Sequence, residues 1–142
     1  MQIRTMKIED TPDMEQLMHH LGYPTTTAQL HNRFQKLLKC RNYQTFVAET
    51  DEILVGFVGM VKQIAYEFDD PYVRVLALVV HERYRGQKIG QKLMKAAETW
   101  AIENGCTVVT LNSGNRPERI AAHKFYEHLG YVGKSTGFSK NL

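Results

Sequence analysis

The run Val73–Val80, VRVLALVV, constrains the fold of this chain more than any other stretch. Seven of its eight residues are apolar, six of them valine or leucine and one alanine, with no alternation of apolar and polar sides. Such a run predicts a strand in the interior of a sheet, covered on both faces. It stops abruptly. The next stretch, ERYRGQKIGQKL (residues 82–93), packs Arg83, Arg85, Lys88, Gly86 and Gly90 into a junction before helical spacing begins at Ile89.

The remaining pattern sets elements around that strand. Gln2–Met6 reads as a short strand. EDTPDMEQLMHHLG reads as a helix capped by Thr11, with Pro12 in its first turn and Gly22 at its end. TTAQLHNRFQKLLK reads as a second helix, with Thr26 and Gln29 as a capping box and Leu30, Phe34, Leu37 and Leu38 on one face. YQTFVAET and ILVGFVGMVKQI read as a hairpin around Asp51-Glu52. Ile89, Leu93, Ala97 and Trp100 mark a long helix ending at Gly105. CTVVTLN reads as another buried strand. Ala121, Phe125 and Leu129 mark a last helix stopped by Gly130, and GYVGKSTGFSKNL reads as short final strands. The order is β-α-α-β-β-β-α-β-α-β, a mixed α/β domain with a central sheet flanked by helices. At 142 residues, with no repeat, linker or low-complexity tract, residues 1–142 are expected to form a single domain.

Composition excludes several classes. A net charge of +3 is too mild to argue for nucleic acid. No run approaches a membrane span, and the start MQIRTMKIEDT has no apolar targeting core. Cys40 and Cys106 fit no zinc or CxxC spacing and are expected to be buried thiols, which implies a reduced, cytoplasmic setting and no metal.

The junction itself has the makings of an anion site. The first N–H groups of a helix have no partner within it, and the helix dipole adds partial positive charge there. Arg85, Gly86, Gln87, Lys88, Ile89, Gly90 and Gln91 would supply amides, the glycines would admit a close ligand, and Arg83, Arg85 and Lys88 add charge. A pyrophosphate suits this better than a lone carboxylate. Neither GxxxxGK[ST] nor GxGxxG after the first strand is present, so the P-loop and the dinucleotide fingerprint are excluded. A solvated basic turn is the competing interpretation.

LALVVHERYRGQKIGQKLM resembles the central motif of the GCN5-related N-acetyltransferase (GNAT) family, an apolar strand followed by an Arg/Gln-x-x-Gly-x-Gly/Ala turn opening a helix. AHKFYEHLGY resembles that family's late helix with its Phe-Tyr-Glu and Gly-aromatic ending. The element order agrees over nearly the whole chain. The resemblance implies the acyl-CoA N-acyltransferase fold with a largely antiparallel sheet, acetyl-CoA as cosubstrate, backbone contacts from Leu78, Val79 and Val80 to the pantetheine arm, and splaying of their strand from CTVVTLN. It implies Tyr126 as the acid that protonates the departing CoA sulfur, and direct attack by a primary amine in a ternary complex. No cysteine is placed to form an acyl-enzyme.

The chain departs from the family pattern at three places. Lys88 stands where glycine is usual, Arg119 where asparagine is common, and Ala77 where many members carry a glutamate base. Glu49, Glu67, His19, His20 and His81 are the remaining base candidates. The resemblance puts the acceptor site at residues 19–27 and the loop YEFDDPY, where Glu67, Asp69 and Asp70 would attract a cation or merely face water. The small-molecule members, aminoalkylphosphonate and aminoglycoside acetyltransferases among them, are similar in length and ending. The expected partner is therefore a small-molecule amine, with no nucleic acid and no membrane. A homodimer is allowed. The alternative is a non-catalytic CoA-sensing or protein-interaction module on the same fold.

Overall fold

The computed structural model describes residues 1–142. Residues 1–110 and 111–142 form two compact units. The elements of the first are β1 (Gln2–Thr5), α1 (Thr11–Leu21), α2 (Thr27–Lys39), β2 (Tyr43–Thr50), β3 (Ile53–Gln63), β4 (Tyr72–Val80) and α3 (Ile89–Glu103). β5 (Val109–Leu111) lies at the boundary, and α4 (Ile120–His128) belongs to the second unit. The sheet runs β1-β2-β3-β4-β5, and the β1–β2, β2–β3 and β3–β4 pairs are antiparallel. This is the mixed α/β order read from the sequence, with the largely antiparallel sheet that the family resemblance implies.

Local chemistry explains most boundaries. Asp51 and Glu52 both take positive φ (49° and 64°), which closes the β2–β3 hairpin as a two-residue turn with the twist its strands require. Thr26 accepts the Gln29 amide and Gln29 returns to the Thr26 amide, the reciprocal cap expected for α2. Gly22 ends α1 in the left-handed conformation (φ 97°). Thr11 is not the cap of α1 but its first residue. It is buried and donates its hydroxyl to Ile8 O at 2.6 Å, while Asp10 takes the cap position. Asp10 is held elsewhere: Arg4 forks onto both its carboxylate oxygens (2.8 and 2.9 Å), and the Lys7 amide donates to it at 2.8 Å. Arg4 also donates to Glu49 (2.8 Å), so one guanidinium ties β1 to β2 and to the entry of α1.

The core lies between α1, α2 and the sheet, with Met14, Leu17, Leu30, Phe34, Val47 and Phe57 buried. On α2, Leu38 falls off the expected face and is exposed, because Leu30, Phe34 and Leu37 already complete the stripe. On the other side, Ile89, Leu93, Met94, Ala97 and Ala101 of α3 are buried. Gly56 permits the closest approach. A Cβ there would stand 2.8 Å from Val79 O, 3.2 Å from Leu93 Cδ1 and 3.5 Å from Ile89 Cγ2.

Several strand expectations fail, each for a physical reason. β4 is not covered on both faces throughout. Its register with β3 passes from Gly59–Ala77 to Met60–Val75, so Leu76 is a bulged residue with no partner, and it is 53% exposed. CTVVTLN shrinks to three half-buried residues in β5, with Val108 exposed. GYVGKSTGFSKNL forms no strand; Gly133–Gly137 is glycine and polar residues, and Val132 and Phe138 face solvent with no ladder to join. Cys40 is exposed at the end of α2, whereas Cys106 is buried as expected.

Gly56→Ala is expected to destabilise the protein by about 1–3 kcal/mol, since the clash is with a backbone carbonyl that cannot swing away. Gly59→Ala, whose Cβ would meet only Thr45 Oγ1 at 4.0 Å, serves as the control. Thermal melting of both variants checks the contrast, and equal losses would contradict it.

Candidate active site

The junction after β4 folds as a charged nest of unused amides. A 3₁₀ turn at Glu82–Tyr84 follows the strand, and Gly86 then takes φ 81°. Lys88 sits at the N-cap of α3 in the left-handed conformation (φ 63°, ψ 19°), where the related motif has glycine. No side chain caps α3, and no acidic residue occupies its first turn. The amides of Ile89, Gly90 and Gln91 precede the first intrahelical bond, Lys92 N to Lys88 O, and those of Gly86, Gln87 and Lys88 have no acceptor either. Arg83, Arg85 and Lys88 are exposed and form no ion pair. A helix N-terminus this long in unpaired donors, with three free cations beside it, can hold a polyanion.

The adjoining strand end offers a second set of backbone groups. Val58, Phe57 and Gly56 of β3 pair with Leu78, Val79 and Val80 on one side. On the other side the Val73 amide donates to Val108 O at 3.0 Å, and β5 ends at Leu111. Three residues of β5 span about 10 Å, whereas Val73 to Val80 spans about 23 Å, so β5 cannot reach Leu78–Val80 whichever way it runs. One edge of these three residues is therefore not paired by β5. Val79 is buried and Leu78 and Val80 half-buried, so their side chains pack.

His81 links strand and nest. It is buried, and its Nδ1 accepts the Arg83 amide at 3.1 Å. That fixes the neutral ring with its proton on Nε2, which lies 3.1 Å from Gln16 Nε2, so the carboxamide must turn over to present its oxygen to that proton. His20 stacks at 4.3 Å between ring centroids and Tyr84 meets it edge-on at 5.7 Å. Burial holds the imidazole below its usual range, with His20, Arg83 and Arg85 adding to the effect and Glu82 opposing it. Both ring nitrogens are engaged, so His81 is a cap rather than a base.

The other base candidates fare no better. Glu49 is bound to Arg4. Glu67 accepts the neighbouring Tyr66 amide in an exposed loop, and His19 is exposed on α1. Burial pushes the Cys106 thiol up, which disfavours the thiolate a nucleophile needs.

A cavity of about 160 Å³ opens on the α2 side of the sheet, against the bulge at Leu76–Ala77. Met18, Phe34, Leu37, Phe57, Met60 and Leu76 form much of its wall, and Arg33 is its one charged lining residue. Neither residues 19–27 nor the YEFDDPY loop lines it. Sequence reading missed this site. Its available signals were the Leu30-Phe34-Leu37 stripe and a glycine, Gly59, in the interior of a strand.

The second unit holds Tyr126, on α4. Ala122, Phe125, Tyr126 and Leu129 are half-buried and Ala121 exposed, so Tyr126 lies on the covered face itself, one position from the stripe expected. Its ring meets Phe125 at 5.2 Å and Tyr131 at 6.1 Å, both near edge-to-face. Burial pushes its phenol above the usual value, partly offset by the half-buried Arg119, so it stays protonated at neutral pH. Arg119 is thereby the phenol's charged neighbour within this unit. Ser113 Oγ is buried there without a partner.

Residues 8–131 match the model of the Acetyltransferase (GNAT) family. The chain belongs to this family. It is similar to human N-acetylaspartate synthetase, 35% identical over 74 residues that make up 52% of this chain and 24% of that protein, so the match spans about a quarter of that relative. A GNAT family acetyltransferase from Staphylococcus aureus superposes with TM-score 0.86 at 30% identity, over 99% of this chain and 98% of its own. An aminoglycoside N-acetyltransferase solved in complex with CoA shares the fold, with TM-score 0.87, 18% identity and coverage of 99% and 93%. No group of three or more His, Cys, Asp or Glu side chains is arranged to hold a metal ion, and no helix is long and apolar enough to cross a membrane.

The buried His81 sets a pH dependence. Its folded pKa lies below the unfolded value of 6.5, so its contribution is full above pH 6.5 and is lost as pH falls below it, when only the unfolded chain takes the proton. Asp10, held low chiefly by its hydrogen bonds from Arg4, adds a separate loss that begins only below 3.8. The melting temperature is expected to fall as pH drops below about 6.5, and His81→Asn should flatten that fall while leaving the acid limb. An unchanged slope in the variant would contradict the assignment.

Proposed function

We propose that this GNAT-family chain moves the acetyl group of acetyl-CoA to the primary amine of a small molecule. The observation that carries the cosubstrate is the set of unpaired amides from Gly86 to Gln91 beside Arg83, Arg85 and Lys88. That set fits a pyrophosphate, and the open edge of Leu78–Val80 fits the amide-bearing pantetheine arm. A CoA complex of an aminoglycoside acetyltransferase with this fold, and a relative named for making N-acetylaspartate, support the same reading. When bound, acetyl-CoA supplies an activated acyl thioester.

The reaction follows in one complex. The neutral amine nitrogen attacks the thioester carbon, the C–N bond forms, and the C–S bond breaks with its electron pair on sulfur. Tyr126 gives its phenolic proton to that sulfur, and the amine nitrogen releases a proton to water, which restores the phenol. An amide N–H near Val79 or Val80 stabilises the transient oxyanion. Glu49 is bound to Arg4 and both ring nitrogens of His81 are engaged, so desolvation and water are assigned the amine proton. Two accessible-backbone sites and a protonated phenol make a ternary complex the economical route, since the buried Cys106 is a poor acyl acceptor.

Three sets of variants test this reading. Gly90→Val should weaken CoA binding with the fold intact, by filling the approach to the amides; unchanged affinity in the folded variant would remove the site. Lys88→Ala should lower affinity in a way that fades at high salt, whereas Lys88→Gly also relieves the left-handed strain and should melt higher. Tyr126→Phe should lower kcat about 10–100-fold, or about 1.4–2.7 kcal/mol of barrier, with acetyl-CoA affinity nearly unchanged. A folded Tyr126→Phe enzyme of wild-type kcat, with chemistry limiting the rate, would sink the acid assignment.

A further inference from the structure

We infer that the cavity beside the Leu76–Ala77 bulge selects an acceptor of one chemical class, an α-amino acid with a single apolar side chain of leucyl or phenyl size. This rests on the acetyl-transfer reading above and names the substrate it leaves open.

Three observations converge. First, size: the cavity holds about 160 Å³. An engineered apolar cavity of about 150 Å³ takes benzene, so one ring or one branched chain is the size of group this space buries. Second, chemistry: Met18, Phe34, Leu37, Phe57 and Met60 present hydrocarbon and thioether, a wall that rewards an apolar group and leaves the hydroxyls of a sugar unpaired. Third, charge: no carboxylate lines the cavity, so nothing there holds a second ammonium. Arg33 is its one charged lining residue, is exposed at the cavity, and forms no ion pair or hydrogen bond. An arginine without an ion pair in the lining of an apolar pocket can meet a carboxylate next to an apolar side chain. The acidic residues Glu67, Asp69 and Asp70, which would favour polycations, lie outside the lining.

The place of the cavity fits the chemistry. Leu76 and Ala77 line it, and Leu78–Val80, the open edge, are the next residues along the same strand. With its side chain among Phe34, Phe57 and Met60 and its carboxylate on Arg33, the amino acid turns its remaining substituent, the amine, toward the bulge. Ala77 leaves room there that a glutamate would fill.

The test uses the whole chain with acetyl-CoA and a panel of amines: L-phenylalanine, L-leucine, glycine, L-phenylalaninamide, L-aspartate, spermidine and neamine. CoA release is read, and each amine's effect on the melting temperature is read separately. Phenylalanine and leucine should exceed glycine in kcat/KM by about 10–100-fold, as expected for burying one such side chain. Arg33→Ala should raise KM for phenylalanine about tenfold, leave KM for phenylalaninamide and acetyl-CoA unchanged, and be partly rescued by Arg33→Lys. Because the amide lacks the charge but keeps the ring and the amine, this contrast isolates Arg33 from any general damage. Turnover of spermidine or neamine with phenylalanine and leucine inert overturns the inference, as does an equal effect of Arg33→Ala on phenylalanine and its amide. If no amine is acetylated but phenylalanine raises the melting temperature in the parent and not in Arg33→Ala, the pocket assignment stands and the acetyltransferase reading falls. No transfer and no thermal shift overturns the pocket assignment.

Discussion

Gly56 is where β3, β4 and α3 meet. Its missing side chain lets Val79 O, Ile89 and Leu93 converge on one point, the nearest contact being 2.8 Å from where a Cβ would stand. Because Ile89 and Leu93 occupy the first two turns of α3, that contact fixes the start of the helix beside the end of β4. The unpaired amides at Gly86–Gln91 and the open backbone edge at Leu78–Val80 then lie on consecutive parts of one strand–turn–helix unit. A diphosphate and the arm that follows it need these two sets of donors in that order. His81 locks the turn between them by capping it through Nδ1. The site is thus mostly main chain, and side-chain packing around a glycine decides where the main chain points.

This explains what the sequence made legible. The β4–α3 unit could be read because its physics is local: an apolar run must become a strand, and a glycine-bearing basic turn before an apolar helical stripe must leave amides free. The Thr26–Gln29 cap and the Asp51-Glu52 turn could be read for the same reason. What stayed hidden depends on distant partners. The bulge at Leu76 arises from a register step against Gly59 and Met60, which no pattern within VRVLALVV announces. The cavity collects residues from α1, α2 and three strands, and its one cation, Arg33, looks like any solvated residue on an amphipathic helix. The final segment carries apolar residues at strand-like spacing, yet a strand needs a neighbour, and Val132 and Phe138 find none.

The departures from the family pattern divide by function. Lys88 keeps the backbone shape that glycine usually supplies, at the cost of a left-handed conformation, and gains a cation at the phosphate end. Ala77 places no carboxylate beside the cavity, whose lining is Arg33 and a hydrocarbon wall. The junction is therefore built of backbone and the cavity of individual side chains, which is the usual division between a fold and the specificity placed on it.

The central claim is that backbone amides, rather than side chains alone, hold the cosubstrate. Amide chemical shifts of the ¹⁵N-labelled protein titrated with CoA test it directly. The account predicts large, saturable shifts at Gly86–Gln91 and at Leu78–Val80, with the diphosphate end alone responding to pyrophosphate. CoA binding that leaves the Gly86–Gln91 amides unmoved would contradict it.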